Sequence, residues 1–163
     1  MTIKAGDKIP SVKLRHMTKD GVKEITTDEI FKGKKVAIFG LPGAFTPTCS
    51  AKHLPGYVEK ADAFKAAGVD EIWCLSVNDA FVMGAWGKDQ HTEGKVRMIG
   101  DGDAAFAKAT GLTLDLNGKG LGLRSNRYSM LVKDGKVVQL NVEAPGQFTV
   151  SDADTILAQA KQA

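Results

Sequence analysis

The sequence predicts an α/β protein built on a mixed sheet, with helices flanking it and a β-hairpin extending it at the N-terminus. Three observations predict this. Val36 to Leu41 is a short, apolar, partly β-branched run that breaks into Pro42 and Gly43, as a buried strand does. Helical composition follows to Ala67, and a second core strand, Glu71 to Val77, completes a strand–helix–strand unit whose strands are normally parallel. Paired short runs around Asp20-Gly21 and Asp134-Gly135 are hairpin signals, which require antiparallel neighbours as well.

Taken in order, Val12 to Met17 and Val22 to Thr26 form the first hairpin around Lys19-Asp20-Gly21. Thr27, followed by Asp28 and Glu29, caps one helical turn before the strand Val36 to Leu41. From Ser50 to Ala67 the chain reads as helix, with Tyr57, Ala61 and Phe64 at spacings of three and four, a kink at Pro55-Gly56, and Gly68 as its stop. After the strand Glu71 to Val77, Asn78-Asp79 caps a helix over Ala80 to Gly87. Val96 to Gly100 is a further strand, and Ala104 to Thr110 a short helix ended by Gly111. Leu116 to Leu123 carries Gly118, Gly120 and Gly122, whose spacing is not that of a dinucleotide fingerprint, and reads as a flexible loop. Arg127 to Lys133 and Lys136 to Val142 make the second hairpin. A last helix starts at Ser151, with Asp154 three residues on, and runs to Lys161.

Composition narrows the function by exclusion. The chain of 163 residues is expected to form one domain, residues 1–163, with 43% hydrophobic and 25% charged residues, as in soluble globular proteins. Its 22 basic residues exceed its 19 acidic ones by only three and are scattered, which argues against nucleic acid or an acidic membrane as partner. The 2 cysteines form neither a disulfide framework nor a C-x-x-C, and no paired histidines accompany them, so no metal or other cofactor is expected. No signal-like h-region and no apolar run of about 18 residues are present, so a cytoplasmic chain with reduced thiols is the expectation.

Cys49 ends the stretch Val36-Ala-Ile-Phe-Gly-Leu-Pro-Gly-Ala-Phe-Thr-Pro-Thr-Cys49 and stands at the start of a helix. Unpaired backbone N–H groups and the positive end of the macrodipole favour an anion there, hence the nucleophilic thiolate. A β-α-β unit with a cysteine at the helix start, followed by a hairpin and a final helix, is the thioredoxin arrangement. The fold expected is therefore a thioredoxin-like mixed sheet. Where that fold carries C-x-x-C, this chain reads Thr46-Pro-Thr-Cys49, and disulfide exchange needs a second sulfur that Thr46 does not supply. A lone activated thiolate suits attack on an oxygen or carbon electrophile.

At these residues the chain resembles the peroxiredoxins. Pro42-Gly-Ala-Phe-Thr46-Pro-Thr-Cys49 carries their pattern Pro-x-x-x-Thr-x-x-Cys, and with Ser50 and His53-Leu-Pro-Gly-Tyr57 it is similar to the type II, or Prx5-type, subfamily. Further likeness runs through Trp73-Cys-Leu-Ser-Val-Asn-Asp79, Gly122-Leu-Arg-Ser-Asn-Arg-Tyr-Ser-Met130 and Asn141-Val-Glu-Ala144, so it covers nearly the whole chain in order.

The resemblance implies a thiol peroxidase acting on hydrogen peroxide and small organic hydroperoxides. Cys49 would be the peroxidatic nucleophile, becoming a sulfenic acid, and the Thr46 hydroxyl would bond the peroxide oxygens. Pro42 would wall the thiolate off from water, and Arg127 would stabilise both the thiolate and the charge on the peroxide. Arg124 lies three residues from Arg127, on the opposite face if the segment is a strand. His53, four residues after Cys49, shares its helical face, where catalysis and a structural hydrogen bond are both open. Phe45 and Phe81 would form a collar round the pocket and a homodimer face.

Cys74 reads as a buried, inert thiol within a core strand. It lies roughly 10 Å below the catalytic edge, whereas a disulfide needs Cα atoms within about 7 Å. Cys74 as a resolving partner in an atypical two-cysteine cycle is the alternative. No C-terminal resolving cysteine stands near Thr149-Val-Ser151. An external thiol, glutathione with glutaredoxin or a thioredoxin, would then reduce the sulfenic acid. A rival of another class is a redox-sensing or chaperone-like protein whose partner interface is switched by Cys49 oxidation.

Overall fold

A computed structural model describes residues 2–163. Inside its main sheet runs β3 (Lys35–Leu41), whose residues divide by the period of two. Ala37, Phe39 and Leu41 enter one core and Val36 and Ile38 the other. A strand buried on both faces reads as a continuous apolar run rather than an alternating one, as here.

Around it the sheet has seven strands. β4 (Glu71–Ser76) and β5 (Arg97–Gly100) continue it in parallel on one side. On the other side lie β8 (Tyr128–Lys133) and β9 (Lys136–Val142), antiparallel. The hairpin of β1 (Lys13–Thr18) and β2 (Gly21–Thr26) extends the sheet beyond β5. This is the thioredoxin-like mixed sheet with its N-terminal hairpin. Strand register closes the first hairpin over Lys19 and Asp20, and Gly21, at positive φ, begins β2.

One face of the sheet carries α2 (Leu54–Glu59), α3 (Ala61–Ala66), α4 (Ala80–Asp89) and α6 (Ala153–Gln162), through Tyr57, Phe64, Trp86 and Ile156. The opposite face holds α1 (Thr27–Phe31) and α5 (Ala105–Thr110), through Ile30, Phe31 and Phe106. Gly40 has no substitute where β3 meets β8: a Cβ there would fall inside the Tyr128 ring.

Several elements differ from their sequence reading. Thr26, not Thr27, caps α1, through a reciprocal capping box with Glu29. Thr27 instead donates its hydroxyl to the Pro10 carbonyl. Leu116 to Leu123 is not a plain loop. It joins β6 (Thr113–Leu116) to β7 (Gly122–Ser125) as a small second sheet, with the glycines at positive φ forming the tip. Asp152 rather than Ser151 caps α6, because Ser151 is engaged elsewhere. The helix expected from Ser50 to Ala67 is broken. A π turn covers Cys49–His53, where the Leu54 N–H donates to the Cys49 carbonyl, and the chain breaks again at Lys60. Pro55 has no N–H to offer the preceding carbonyls, so the ladder widens just before it.

Candidate active site

Cys49 sits at the carboxyl end of β3, where parallel β3 and β4 both stop and the chain must leave the sheet. The loop between β3 and the helix is held at several points. Asn78, just past β4, accepts the Ala44 N–H at 3.0 Å and the Ser76 hydroxyl at 2.6 Å. The Thr46 hydroxyl donates to the Gly43 carbonyl at 2.7 Å, and the Ser50 N–H to the Thr46 carbonyl at 2.9 Å. Helical geometry therefore starts at Pro47, and Cys49 lies inside the first turn rather than at its lip. Phe45 takes the left-handed backbone region, φ 63°, a conformation costly for a bulky residue.

Arg127 occupies the short link between β7 and β8 rather than the strand. From there its Nη2 donates to Cys49 Sγ at 3.3 Å, while Nη1 lies 2.9 Å from His53 Nδ1. Arg124, on β7, turns to the loop instead, donating from Nη1 to the Pro42 carbonyl at 3.3 Å and from Nε to the Leu121 carbonyl at 2.8 Å. Cys49 is fully buried, whereas Pro42, Thr46 and Arg127 are partly exposed and are the parts of the site that solvent reaches.

His53 is also fully buried, and burial followed by the neighbouring Arg127 charge pushes its imidazole down to about 3. It is neutral at ordinary pH, and its tautomer follows from its partners. Nε2 faces the Ser151 carbonyl at 3.0 Å, which can only accept, so Nε2 carries the proton and Nδ1 accepts from Arg127. The Tyr57 hydroxyl donates to the same carbonyl at 2.9 Å. Phe148 closes the back of the site, 5.0 Å from the His53 ring and 5.9 Å from the Arg127 guanidinium carbon.

A family model described as Redoxin matches residues 4–157. The chain belongs to this family. Peroxiredoxin-2B of Arabidopsis thaliana is 49% identical over 156 residues, which span 95% of this chain and 96% of that protein. Among solved structures, reduced Prx3 in complex with H2O2 from Vibrio vulnificus is 52% identical with a TM-score of 0.94, over 98% of this chain and 99% of that one. Peroxiredoxin 5 of Alvinella pompejana is 35% identical with a TM-score of 0.88, over 99% of each chain. The chain is thus a peroxiredoxin, a thiol peroxidase of the Prx5-like branch.

In this peroxiredoxin Cys74 belongs to the same sheet face as Cys49, paired on β4 opposite Phe39 and Met98. It is a free, fully buried thiol, and burial first, then the neighbouring Cys49, pushes it well up from its ordinary value. Phe45 and Phe81 are exposed, at 53% and 69%, while Trp86 is buried and donates its indole N–H to Ser50 Oγ. The phenyl ring of Phe45 stands 6.3 Å from that of Trp86. Among the described residues no group of three His, Cys, Asp or Glu side chains gathers as a metal site.

Glu143 is the residue that sequence reasoning passed over. Its carboxylate accepts the backbone N–H groups of Thr149, Val150 and Ser151 and the hydroxyls of Thr149 and Ser151, at 2.7–3.3 Å. Burial pushes its carboxyl up, but these donors outweigh it and hold it down at about 2. Only its place in Asn141-Val-Glu143-Ala144 was visible beforehand. Its partners lie in an irregular loop that no periodicity marks.

Proposed function

We propose that Cys49 is the nucleophile of this thiol peroxidase and that Arg127, Thr46 and Pro42 complete its site. The observation that carries this is the 3.3 Å contact from Arg127 Nη2 to Cys49 Sγ. A guanidinium at that distance donates to the sulfur and remains in place to meet the charge that moves onto the peroxide. The Thr46 hydroxyl proton is committed to the Gly43 carbonyl, which leaves Oγ1 as an acceptor for the peroxide O–H. That contact aims the terminal oxygen at the sulfur. The thiolate then forms an S–O bond as the O–O bond breaks. Sulfur is oxidised to the sulfenic acid, the peroxide is reduced, and the departing alkoxide or hydroxide leaves with a proton from water. Pro42, with no N–H and a rigid ring, keeps water from the thiolate.

Hydrogen peroxide and small organic hydroperoxides suit a sulfur reached only past half-covered groups, and a relative at 52% identity has been seen with H2O2 bound. The burial and raised pKa of Cys74 make it a poor resolving thiol. Recycling therefore falls to an external thiol, which we assign to glutaredoxin with glutathione or to thioredoxin. It condenses with the sulfenic acid, releasing water, and a second thiol frees Cys49 from the mixed disulfide. The exposed Phe45 and Phe81 supply the face of a homodimer, and two free thiols suit the cytoplasm, where cell fractionation would look for the protein. Steady-state turnover tests the enzyme reading. An enzyme consumes many equivalents of peroxide when one of these thiols is supplied and none as Cys49→Ser. Oxidation that stops after one equivalent in the presence of both reductants contradicts it and supports a sensor.

A further inference from the structure

Arg127 can hold the sulfur with one arm only if its other arm is held too, since a guanidinium is a rigid fork on a flexible stem. Three contacts meet that need, and all of them lead to Glu143. The first is His53 Nδ1, which accepts from Arg127 Nη1 only while the proton sits on Nε2. The second is the Ser151 carbonyl, which keeps that proton there and is aimed by the Glu143 carboxylate through the Ser151 N–H and hydroxyl, both at 2.7 Å. The third is direct: the Glu143 N–H donates to the Arg127 carbonyl at 2.9 Å, fixing the backbone from which the guanidinium springs. Phe148, packed on both His53 and Arg127, sits at the start of the loop that Glu143 gathers.

We infer that Glu143 is a positioning residue for the peroxidase reaction, acting through Ser151 and His53 to hold Arg127 against the Cys49 sulfur. This rests on the reading of Cys49 and Arg127 given above. Glu143 touches neither peroxide nor sulfur. Its carboxylate acts by accepting: a glutamine in its place turns an amide N–H2 toward backbone N–H groups that have nothing to accept with, and the loop must shift.

The sign of one measurement separates this from other roles. Removing a nearby negative charge, by Coulomb's law alone, makes a thiolate easier to form. Loosening Arg127 makes it harder. The rate of Cys49 alkylation by iodoacetamide, followed against pH in Glu143→Gln, reports which effect wins and requires no peroxide, so it stands apart from any failure of the peroxidase reading itself. We expect the midpoint to move up by about one pH unit, and peroxide turnover to fall with it. In an Arg127→Ala background the same substitution should add nothing, because the residue it acts through is gone. His53→Phe interrupts the chain two links downstream, past Ser151, and covers the case in which Glu143→Gln does not fold; it must move the midpoint the same way. A midpoint that stays or falls in either variant, with only the melting temperature lowered, overturns the proposal, as does an effect that persists in full without Arg127.

Discussion

Arg127 and Cys49 stand 78 positions apart in the chain, and Arg127 Nη2 donates to Cys49 Sγ at 3.3 Å. The contact exists because β3 and β8 are antiparallel neighbours, with Gly40 opposite Tyr128, so the residue that precedes β8 meets the chain that leaves β3. Sheet topology thus brings the cation to the sulfur. The second arm of the same guanidinium is occupied by His53, so the fork is shared between sulfur and imidazole.

That division separates two arginines three residues apart. Arg127→Ala should slow peroxide turnover by about 10²–10³-fold, the usual cost of losing a preorganised donor at developing charge. Arg124→Ala, which loses contacts to the Pro42 and Leu121 carbonyls, should cost far less. Arg127→Lys should recover only part of the rate, because one ammonium cannot reach sulfur and imidazole as a planar fork does. Equal losses from Arg127→Ala and Arg124→Ala in stopped-flow peroxide kinetics contradict the assignment.

Acid should destabilise the protein well above the carboxylate range. His53 is held down to about 3 from an ordinary 6.5, and Glu143 to about 2 from 4.5. Both bind fewer protons folded than unfolded, so their contributions are full above pH 6.5 and are lost as pH falls, first through His53 and then, below 4.5, through Glu143. At 1.36 kcal/mol per unit, His53 alone accounts for about 3–5 kcal/mol. Urea midpoints measured from pH 7 down to pH 4 should fall steadily, and His53→Phe should flatten the upper part of that slope. A wild-type midpoint constant over this range would count against the neutral, buried imidazole.

Gly40→Ala should cost stability through overlap with the Tyr128 ring, by about 1–3 kcal/mol or more. Equilibrium unfolding of Gly40→Ala beside Gly118→Ala checks this. Gly118 meets nothing within 4 Å and carries only the cost of its positive φ. A smaller loss at Gly40 than at Gly118 would count against the close approach.

The homodimer proposed on Phe45 and Phe81 predicts that Phe81→Asp sediments as a monomer while the wild type sediments at twice its mass. Phe81 is 69% exposed in the single chain, so the substitution has little folding cost of its own. A wild-type monomer at working concentrations removes the proposal.

Much of this fold is legible in the sequence because its inner strands are buried on both faces. Val36 to Leu41 and Glu71 to Ser76 show themselves as apolar runs bounded by breakers. The β6–β7 pair is not legible: four-residue strands around three glycines bury little and carry no alternation strong enough to read. The π turn escapes for another reason. Its cause, Pro55, lies outside the turn it widens. Within the proposed site, Cys49 is marked by its place at a helix start and Thr46, Pro42 and Arg127 by the peroxiredoxin resemblance, whereas Glu143 is an acid held by the backbone N–H groups and two hydroxyls of an irregular loop, and backbone donors leave no mark in a sequence.

The central claim is that one sulfur, Cys49, takes the oxygen from the peroxide while Cys74 stands by. Intact mass with peptide mapping after one equivalent of peroxide, on wild type, Cys74→Ser and Cys49→Ser, tests it most directly. One added oxygen on Cys49 in both wild type and Cys74→Ser, with Cys49→Ser left unoxidised, is the result predicted here. A loss of two hydrogens that requires both cysteines, or rapid oxidation of Cys49→Ser, would contradict it.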